Sequence, residues 1–360
     1  MNIGIPKERR PSEFRVGLSP SGVEILCRSG HTVFVEKGAG LGAGFNDLDY
    51  EHAGARIVYS AEEAFGRADL LLKFARPQDE ELEMIRDEST LAGFLLLASA
   101  RQSKIDALMK KKVTTIAYEQ IRQPDGSFPV MSPLSRICGS MTALIAGRLL
   151  QANSGGKGIL LGGIPGVPPA EVGIIGAGVV GSASARAFIG LGAHVTLLDV
   201  NLEALNRISD QCLHLVTMTA TPHNIQKVCG YVDVLIGAVH VSGERSPMVV
   251  TREMVRAMKP RSVIIDTSID QGGCCETSRP TTHEQSTYLE EGILHYCVPN
   301  IPSLVARTAT HAFVNAVMPY IGELVDKGIE RAIETNAAIK DAVNTHAGKL
   351  HHLYRLTGTK

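Results

Sequence analysis

The feature that most constrains the fold is a short apolar segment that leads directly into a glycine-rich turn. Residues 172–175 are Val-Gly-Ile-Ile, and three glycines follow with the spacing G-x-G-x-x-G. This order predicts a buried parallel strand, a tight turn and then a helix. The first glycine allows the turn, the second lets the backbone approach a pyrophosphate, and the third lets the helix pack closely. Because amides at a helix N-terminus bind phosphate, the predicted binding residues are Gly176, Ala177, Gly178, Val179, Val180 and Gly181.

An acidic residue completes the motif and indicates which dinucleotide it binds. The run 194–198 predicts the next strand, and Asp199 stands at its end, eighteen residues after Gly181. A carboxylate at this place accepts hydrogen bonds from the adenosine ribose hydroxyls and repels a 2′-phosphate. The sequence therefore predicts NAD, rather than NADP, as the cofactor. A glycine turn that binds no ligand is the alternative.

Two series of alternating strands and helices predict two domains. Alternation of this kind is typical of a parallel sheet covered by helices. Two longer helical patterns, 139–150 and 312–327, lie outside both series. The predicted strands are 3–5, 32–35, 70–74, 91–97 and 113–118 in the first series, with helices at 20–28, 61–65, 79–86 and 104–109, and 172–175, 194–199, 215–218, 233–239, 262–267 and 295–298 in the second.

We therefore predict an α/β fold of two Rossmann-like, doubly wound domains with a cleft between them that binds the ligands. The NAD-binding domain is predicted to span residues 136–304. The substrate domain is predicted to combine residues 1–135 with 305–360. The tail from Ala332 to Lys360 is polar and contains several histidines, so a solvated helix end or a frayed tail is expected there.

Composition and charge exclude several classes of function. The 360 residues carry a net charge of −1 with no block of like charge, so we expect neither nucleic acid nor a membrane surface as a partner. The longest apolar runs are too short to span a bilayer, and the charged N-terminus does not resemble a signal peptide. Seven scattered cysteines without metal-ligand spacing predict reduced thiols in a cytoplasmic protein without a metal.

Several further segments, taken with the glycine motif, resemble the alanine dehydrogenase and pyridine nucleotide transhydrogenase family. The resemblance covers about residues 1–328 and favours the dehydrogenases, because we expect no membrane segment or proton-channel domain. It implies two Rossmann-like domains and a homo-oligomer, either a hexamer or a dimer. The matching segments are GIPKERRPSEFRVGLSPSGV, GHTVFVEKGAG, IAYE, GGKGILLGGIPGV, DVLIGAV, IDTSIDQGG, TTH and VPNIPS.

The resemblance also implies roles for individual residues. Arg15 matches the arginine that binds the substrate carboxylate, for which a rigid guanidinium is well suited. Asp270 matches an aspartate beside the nicotinamide that assists catalysis, and Asn300 matches a residue near the substrate and the nicotinamide. A surface ion pair for the arginine and a turn for the aspartate are the alternatives. The positions that match contacts to the cofactor are Ser135, Thr221, Val239 and Ile269.

Two substitutions set the chain apart from the family pattern. The family strand L-K-V-K-E-P carries a second lysine that binds the substrate, but Ala75 occupies that place here. The family pattern F/Y-L-H-L-A contains the acid/base histidine, but Leu96 occupies that place. Loss of a general acid/base costs about 10²–10⁴ in rate. The cofactor half of the predicted site is therefore intact, whereas the reacting half is altered.

Other residues are candidates for the missing groups. Lys73 shares the predicted strand face of Ala75 and is expected to reach the cleft. His240 follows a strand at the end where α/β sheets bind ligands, so it is a candidate for substrate contact. Tyr118 and Glu119 could supply a proton, although a packed and capped pair is the alternative.

Three functions remain open at this point. The first is an NAD-dependent dehydrogenase that acts on an amino acid or on the imine derived from it, a small molecule bound through its carboxylate. An altered site suits a preformed imine, a secondary amine or a bulkier side chain better than pyruvate with ammonia. The second is a catalytically silent NAD-binding sensor or partner protein. The third is a transhydrogenase subunit.

Overall fold

The computed structural model describes residues 1–241 and 245–353, and the chain divides into two compact units. Unit 1 consists of Met1–Leu134 and Ser303–Lys360, and unit 2 consists of Ser135–Pro302. Each unit is built on one mostly parallel sheet whose strands alternate with helices. The predicted α/β, Rossmann-like fold class is therefore confirmed.

The first part of unit 1 follows the predicted alternation and adds two short elements. Ser19 and Ser60 cap two of its helices through their hydroxyls. The additional helix Asp47–His52 and strand Arg56–Val58 are too short and too polar to show a period. The strands are β1 Asn2–Ile5, β2 Thr32–Glu36, β3 Arg56–Val58, β4 Leu70–Ala75, β5 Thr90–Phe94 and β6 Thr114–Ala117, and the helices are α1 Pro20–Arg28, α2 Asp47–His52, α3 Ala61–Gly66, α4 Asp79–Met84 and α5 Gln102–Lys110.

Unit 2 contains the six predicted strands and a seventh. The strand order is β12-β13-β11-β10-β7-β8-β9, and among the described strands of this sheet only the edge strand β12 is antiparallel. The chain enters unit 2 along helix α6 Ser132–Leu149. The strands are β7 Glu171–Ile175, β8 His194–Asp199, β9 Leu215–Thr219, β10 Val234–Gly237, β11 Val263–Asp266, β12 Thr287–Glu290 and β13 Ile293–Tyr296, and the other helices are α7 Val179–Gly190, α8 Leu202–Ser209, α9 Pro222–Cys229 and α10 Arg252–Arg256.

The C-terminal segment differs from the expectation of a solvated or frayed tail. After helices α11 Ala306–Lys327, α12 Ile329–Thr335 and α13 Ala337–Asp341, the chain forms strands β14 Val343–His346 and β15 Lys349–Leu350. These strands extend the sheet of unit 1 to the order β15-β14-β6-β5-β4-β1-β2-β3. The prediction is wrong for β14, which pairs with β6 and is held there by side-chain hydrogen bonds as well. The buried Thr345 hydroxyl lies 2.9 Å from that of Thr115 and donates to the Val113 carbonyl at 2.8 Å.

The strand predicted for residues 91–97 ends earlier, at Phe94. Leu96 has a left-handed backbone with φ of +44°, which an L-residue outside a turn rarely adopts. A continuous apolar run carries no signal for this change. The backbone turn at Leu96 places the residue after the strand rather than within it.

Two expectations about the chain as a whole can be compared with the structure. All seven cysteines are free, and both Cys274 and Cys275 are buried. Within residues 1–241 and 245–353, no helix has both the length and the apolar character needed to cross a membrane.

Candidate cofactor site and active site

In unit 2, the predicted cofactor residues follow the carboxyl ends of neighbouring parallel strands. Strand β7 has β8 on one side and β10 on the other, although the chain reaches β10 only after β8 and β9. Such a reversal of strand order opens a crevice at the carboxyl edge, where α/β sheets bind their ligands. The glycine turn follows β7 at this place, Asp199 ends β8, and Val239 lies two residues after β10.

The glycine turn has the geometry that pyrophosphate binding requires. Gly176 has φ of +106°, and a Cβ there would lie 2.3 Å from the Ala238 carbonyl oxygen. A Cβ on Gly181 would lie 1.7 Å from the Gly176 carbonyl oxygen, so the helix packs against the turn itself. At Gly178, by contrast, a Cβ would meet nothing within 4 Å. The backbone at Gly178 is therefore open to an approaching ligand.

The first amides of α7 are available to an anion. Gly178 is the N-cap residue, and no side chain caps the helix. Gly178 and Val179 are exposed, and Val180 is half-buried. Uncapped amides at a helix N-terminus carry partial positive charge and bind phosphate groups. These residues fit the pyrophosphate of NAD.

Asp199 lies directly beside the turn. One of its carboxylate oxygens accepts the Ala177 amide at 2.5 Å, and the other accepts the Asn201 amide at 2.7 Å. Each carboxylate oxygen has two lone pairs, so both keep the capacity to accept a ribose hydroxyl. The carboxylate thus fits the adenosine ribose of NAD and disfavours a phosphate in its place.

The remaining predicted residues of unit 2 lie in several loops and one helix. Thr221 caps α9 by accepting the Asn224 amide at 3.2 Å. Ser268 donates to the Val239 carbonyl at 2.8 Å and thereby fixes the loop after β11 beside the end of β10. This loop carries buried Ile269 and exposed Asp270. Ser135 is half-buried at the start of unit 2, exposed His240 follows Val239, and half-buried Asn300 has φ of +63° after β13.

In unit 1, Arg15 is a buried, oriented guanidinium. Its Nε and Nη2 groups donate to the two carboxylate oxygens of Glu13 at 2.7 and 2.6 Å. Its flat face lies 3.7 Å from the centre of the Phe74 ring. The ion pair that was the alternative for Arg15 is therefore present, and it is buried rather than at the surface.

Lys73 does not reach an open surface. The prediction that its side chain reaches the cleft is wrong, because the residue is buried. The residue is completely buried, and its ammonium lies 2.8 Å from Glu81 and 3.2 Å from Glu8. Burial alone lowers the pKa of Lys73, but the two carboxylates more than offset this and raise it. The β4–β5 pairing also shifts register between Leu72 and Ala75, so simple alternation of faces does not hold.

The carboxyl edge of the unit 1 sheet brings together residues that are far apart in the sequence. Strands β4, β5 and β6 are parallel neighbours, so Arg76, Leu96 and Glu119 follow their ends at one edge. Glu119 accepts the amides of Leu95 at 3.1 Å and of Leu96 at 2.6 Å. Arg76 donates to the Leu96 carbonyl at 2.9 Å. The order of strands in the sheet is the signal that could have found this cluster.

The relatives of the chain agree with this architecture. Two family profiles match: the N-terminal domain of alanine dehydrogenase/PNT over residues 4–138 and the C-terminal domain over 142–353. The chain is 43% identical to the alanine dehydrogenase of Methanococcus maripaludis over 352 residues, covering 97% of this chain and 94% of that protein.

Two solved structures are similar over almost the whole chain. An L-alanine dehydrogenase matches with a TM-score of 0.94 and 42% identity, covering 98% of this chain and 97% of that one. A transhydrogenase from Sinorhizobium meliloti matches with a TM-score of 0.84 and 25% identity, covering 98% and 99%. The chain therefore belongs to the alanine dehydrogenase and pyridine nucleotide transhydrogenase family, whose members use NAD(H).

Proposed function

We propose that the chain is an NAD-dependent dehydrogenase acting on an amino acid or on the imine derived from it. NAD, when bound, supplies the acceptor for the hydride that leaves the substrate α-carbon. Arg15 holds the substrate carboxylate, Asp270 stabilises the polar reacting centre, and Asn300 lies near both ligands. Arg15 carries the proposal, because it matches the family arginine and its guanidinium is held in one orientation by Glu13 and Phe74.

The substrate site of the chain is less polar than the family pattern. Ala75 and Leu96 replace a cation and an acid/base, and the Leu96 side chain is 43% exposed. Removing charge and adding apolar surface favours a substrate with a larger apolar group or a secondary amine. We therefore expect the chain to prefer such substrates to alanine. The role of His240 and the predicted homo-oligomer stay predictions.

Two other functions are compatible with the fold. A catalytically silent NAD-binding sensor is favoured by the same two substitutions, because neither alanine nor leucine transfers protons. A carboxylate clamp has no use in such a sensor, which supports the enzyme. A transhydrogenase subunit has less support, since the match to L-alanine dehydrogenase is closer in both identity and TM-score.

A substrate panel separates the enzyme from the sensor. NADH oxidation is followed with 2-oxo acids plus ammonia or amines, and NAD reduction is followed with amino acids. We expect turnover that Arg15→Lys lowers about 10- to 100-fold in kcat/KM, because a lysine keeps the charge but loses the paired donors. Asp270→Asn is expected to lower kcat. Arg28→Lys, on the exposed end of α1, is the matched control and leaves turnover unchanged. Binding of NAD without turnover on any substrate would favour the sensor.

Restoring the family side chains provides a second prediction. The double variant Ala75→Lys/Leu96→His is expected to gain alanine dehydrogenase activity by at least about tenfold, because a general acid/base contributes about 10²–10⁴ in rate. The single variants serve as controls for each side chain. Initial rates of NAD reduction with L-alanine are the measurement. A folded double variant that binds NAD but shows no gain would contradict the assignment of these two positions.

A further inference from the structure

The reaction proposed above needs a group that takes a proton from water and returns it, and Leu96 cannot do so. Glu119 contacts that residue directly, because its Oε1 atom accepts the Leu96 amide at 2.6 Å. It follows β6, the strand next to β5, and is half-buried. The carboxyl group therefore lies at the carboxyl edge of the unit 1 sheet, which is the edge where parallel α/β sheets bind their ligands.

The backbone holds this carboxyl group in a fixed orientation. Successive amides of a regular strand point in opposite directions, so Leu95 and Leu96 could not both donate to one carboxyl group from a strand. The strand ends at Phe94, and the left-handed Leu96 turns the two amides toward Glu119. Consecutive amides that converge in this way form an anion-binding concavity. Each oxygen keeps a lone pair that can accept a hydrogen bond from a water molecule.

Three side chains fix the turn in its unfavourable conformation. Besides Glu119, the Arg76 guanidinium donates to the Leu96 carbonyl at 2.9 Å and the Ser99 hydroxyl donates to it at 3.1 Å. A non-glycine residue kept in the left-handed region by several contacts is typical of functional sites. The turn thus serves to position the carboxyl group.

The surroundings allow Glu119 to change its protonation state near neutral pH. Burial raises the pKa of Glu119 to about 7, although the two amides and the charge of Arg76 act in the opposite direction. Besides Glu119, the charged groups that act on Arg76 are Arg10 and Asp79. Tyr118 precedes Glu119 in the sequence. Burial raises the pKa of its hydroxyl far above neutrality, so the hydroxyl stays protonated near neutral pH and cannot accept a further proton.

We propose, as an extension of the proposed function, that Glu119 is the catalytic acid/base of this chain and acts on the attacking water. After hydride transfer, the water oxygen bonds to the imine carbon while one water proton goes to the Glu119 carboxylate. That proton then passes to nitrogen. The remaining hydroxyl proton follows by the same route as the C–N bond breaks. The protonated imine and water thus give a 2-oxo acid and an ammonium ion, and Glu119 returns to its carboxylate form.

Glu119→Gln tests the proposal with two measurements. In infrared difference spectra between the wild type and the variant, recorded from pH 5 to 9, the carbonyl band of one protonated carboxyl is expected only in the wild type and is expected to disappear with a midpoint of about 7. With an amino acid turned over in the panel, kcat/KM is expected to rise through the same pH and to fall about 10²–10⁴-fold in the variant. Glu88→Gln, at an exposed ion pair in unit 1, is the matched control and changes neither measurement.

The outcomes distinguish this proposal from the one on which it rests. A glutamine variant that keeps the turnover and its rise near pH 7 overturns the role of Glu119 while leaving the dehydrogenase intact. A variant that loses rate equally at all pH values and keeps the rise shows a structural role only, and also overturns it. If the wild type turns over no substrate, the proposed function itself fails, and this proposal fails with it.

Discussion

Replacing Gly181 with alanine is expected to weaken NAD binding on the order of 100-fold, which corresponds to about 2.7 kcal/mol. The added Cβ would lie 1.7 Å from the Gly176 carbonyl oxygen, so either the turn or the start of α7 must move. Overpacking of this kind costs about 1–3 kcal/mol in stability. The displaced amides would also no longer converge on the pyrophosphate. Isothermal titration calorimetry with NAD and NADH measures the loss.

Two other glycines of the same segment extend this experiment, Gly190 as the matched control and Gly178 as a second test. Gly190 ends α7 and is exposed, and its Cβ would meet nothing within 4 Å. Gly190→Ala is therefore expected to leave affinity unchanged. Gly178→Ala also adds a methyl group to open space, but that space is where the phosphates approach. This variant is expected to lose affinity while it keeps its unfolding temperature. Unchanged affinity in a folded Gly181→Ala protein would disprove the proposed cofactor geometry.

The cofactor half of the site could be predicted from sequence because its parts are contiguous. Strand β7, the turn and α7 follow one another without interruption, and each glycine has its own steric reason. Asp199 ends the very next strand. Its carboxylate accepts the Ala177 amide of the turn and can also accept a ribose hydroxyl. Local sequence therefore determines local geometry in this region.

The reacting half could not be predicted in the same way because tertiary contacts build it. Lys73 contacts Glu8, which lies 65 residues earlier in the sequence. Strand β5 ends at Phe94 although the leucine run continues, and the next two amides donate to Glu119, which lies two residues after the neighbouring strand β6. Strand β14 is likewise polar in sequence, yet its Asn344 and Thr345 are buried where it pairs with β6. Periodicity carries no record of such contacts.

Replacing Lys73 with methionine is expected to destabilise unit 1 by about 3–5 kcal/mol at neutral pH, because removing one partner leaves buried charge uncompensated. Glu81 is 1% exposed and Glu8 is 8% exposed, and both carboxylates contact the same ammonium. Methionine fills a similar volume but carries no charge. Differential scanning calorimetry, which resolves the transitions of separate units, measures the change.

The pH dependence of this loss follows from the sign of each shift. The pKa of Lys73 is raised in the folded protein, so its stabilising contribution is complete below about pH 10.4 and is lost above it. Burial already raises the pKa of Glu8 despite the lysine. Without the lysine, one carboxyl group takes up a proton more readily in the folded state. The free energy of unfolding that Lys73→Met loses relative to the wild type is therefore expected to become smaller as the pH falls from 8 to 5.

A triple variant separates uncompensated charge from lost packing. Glu8→Gln/Lys73→Met/Glu81→Gln removes all three charges together, and we expect it to recover most of the stability that Lys73→Met loses, since neutral replacements of a buried ionic group are often tolerated. Lys112→Met, at an exposed pair with Glu88, should cause no measurable change. A Lys73→Met protein as stable as the wild type would show that the two glutamates are already protonated. In that case the buried cluster would be a hydrogen-bonded network rather than an ionic one.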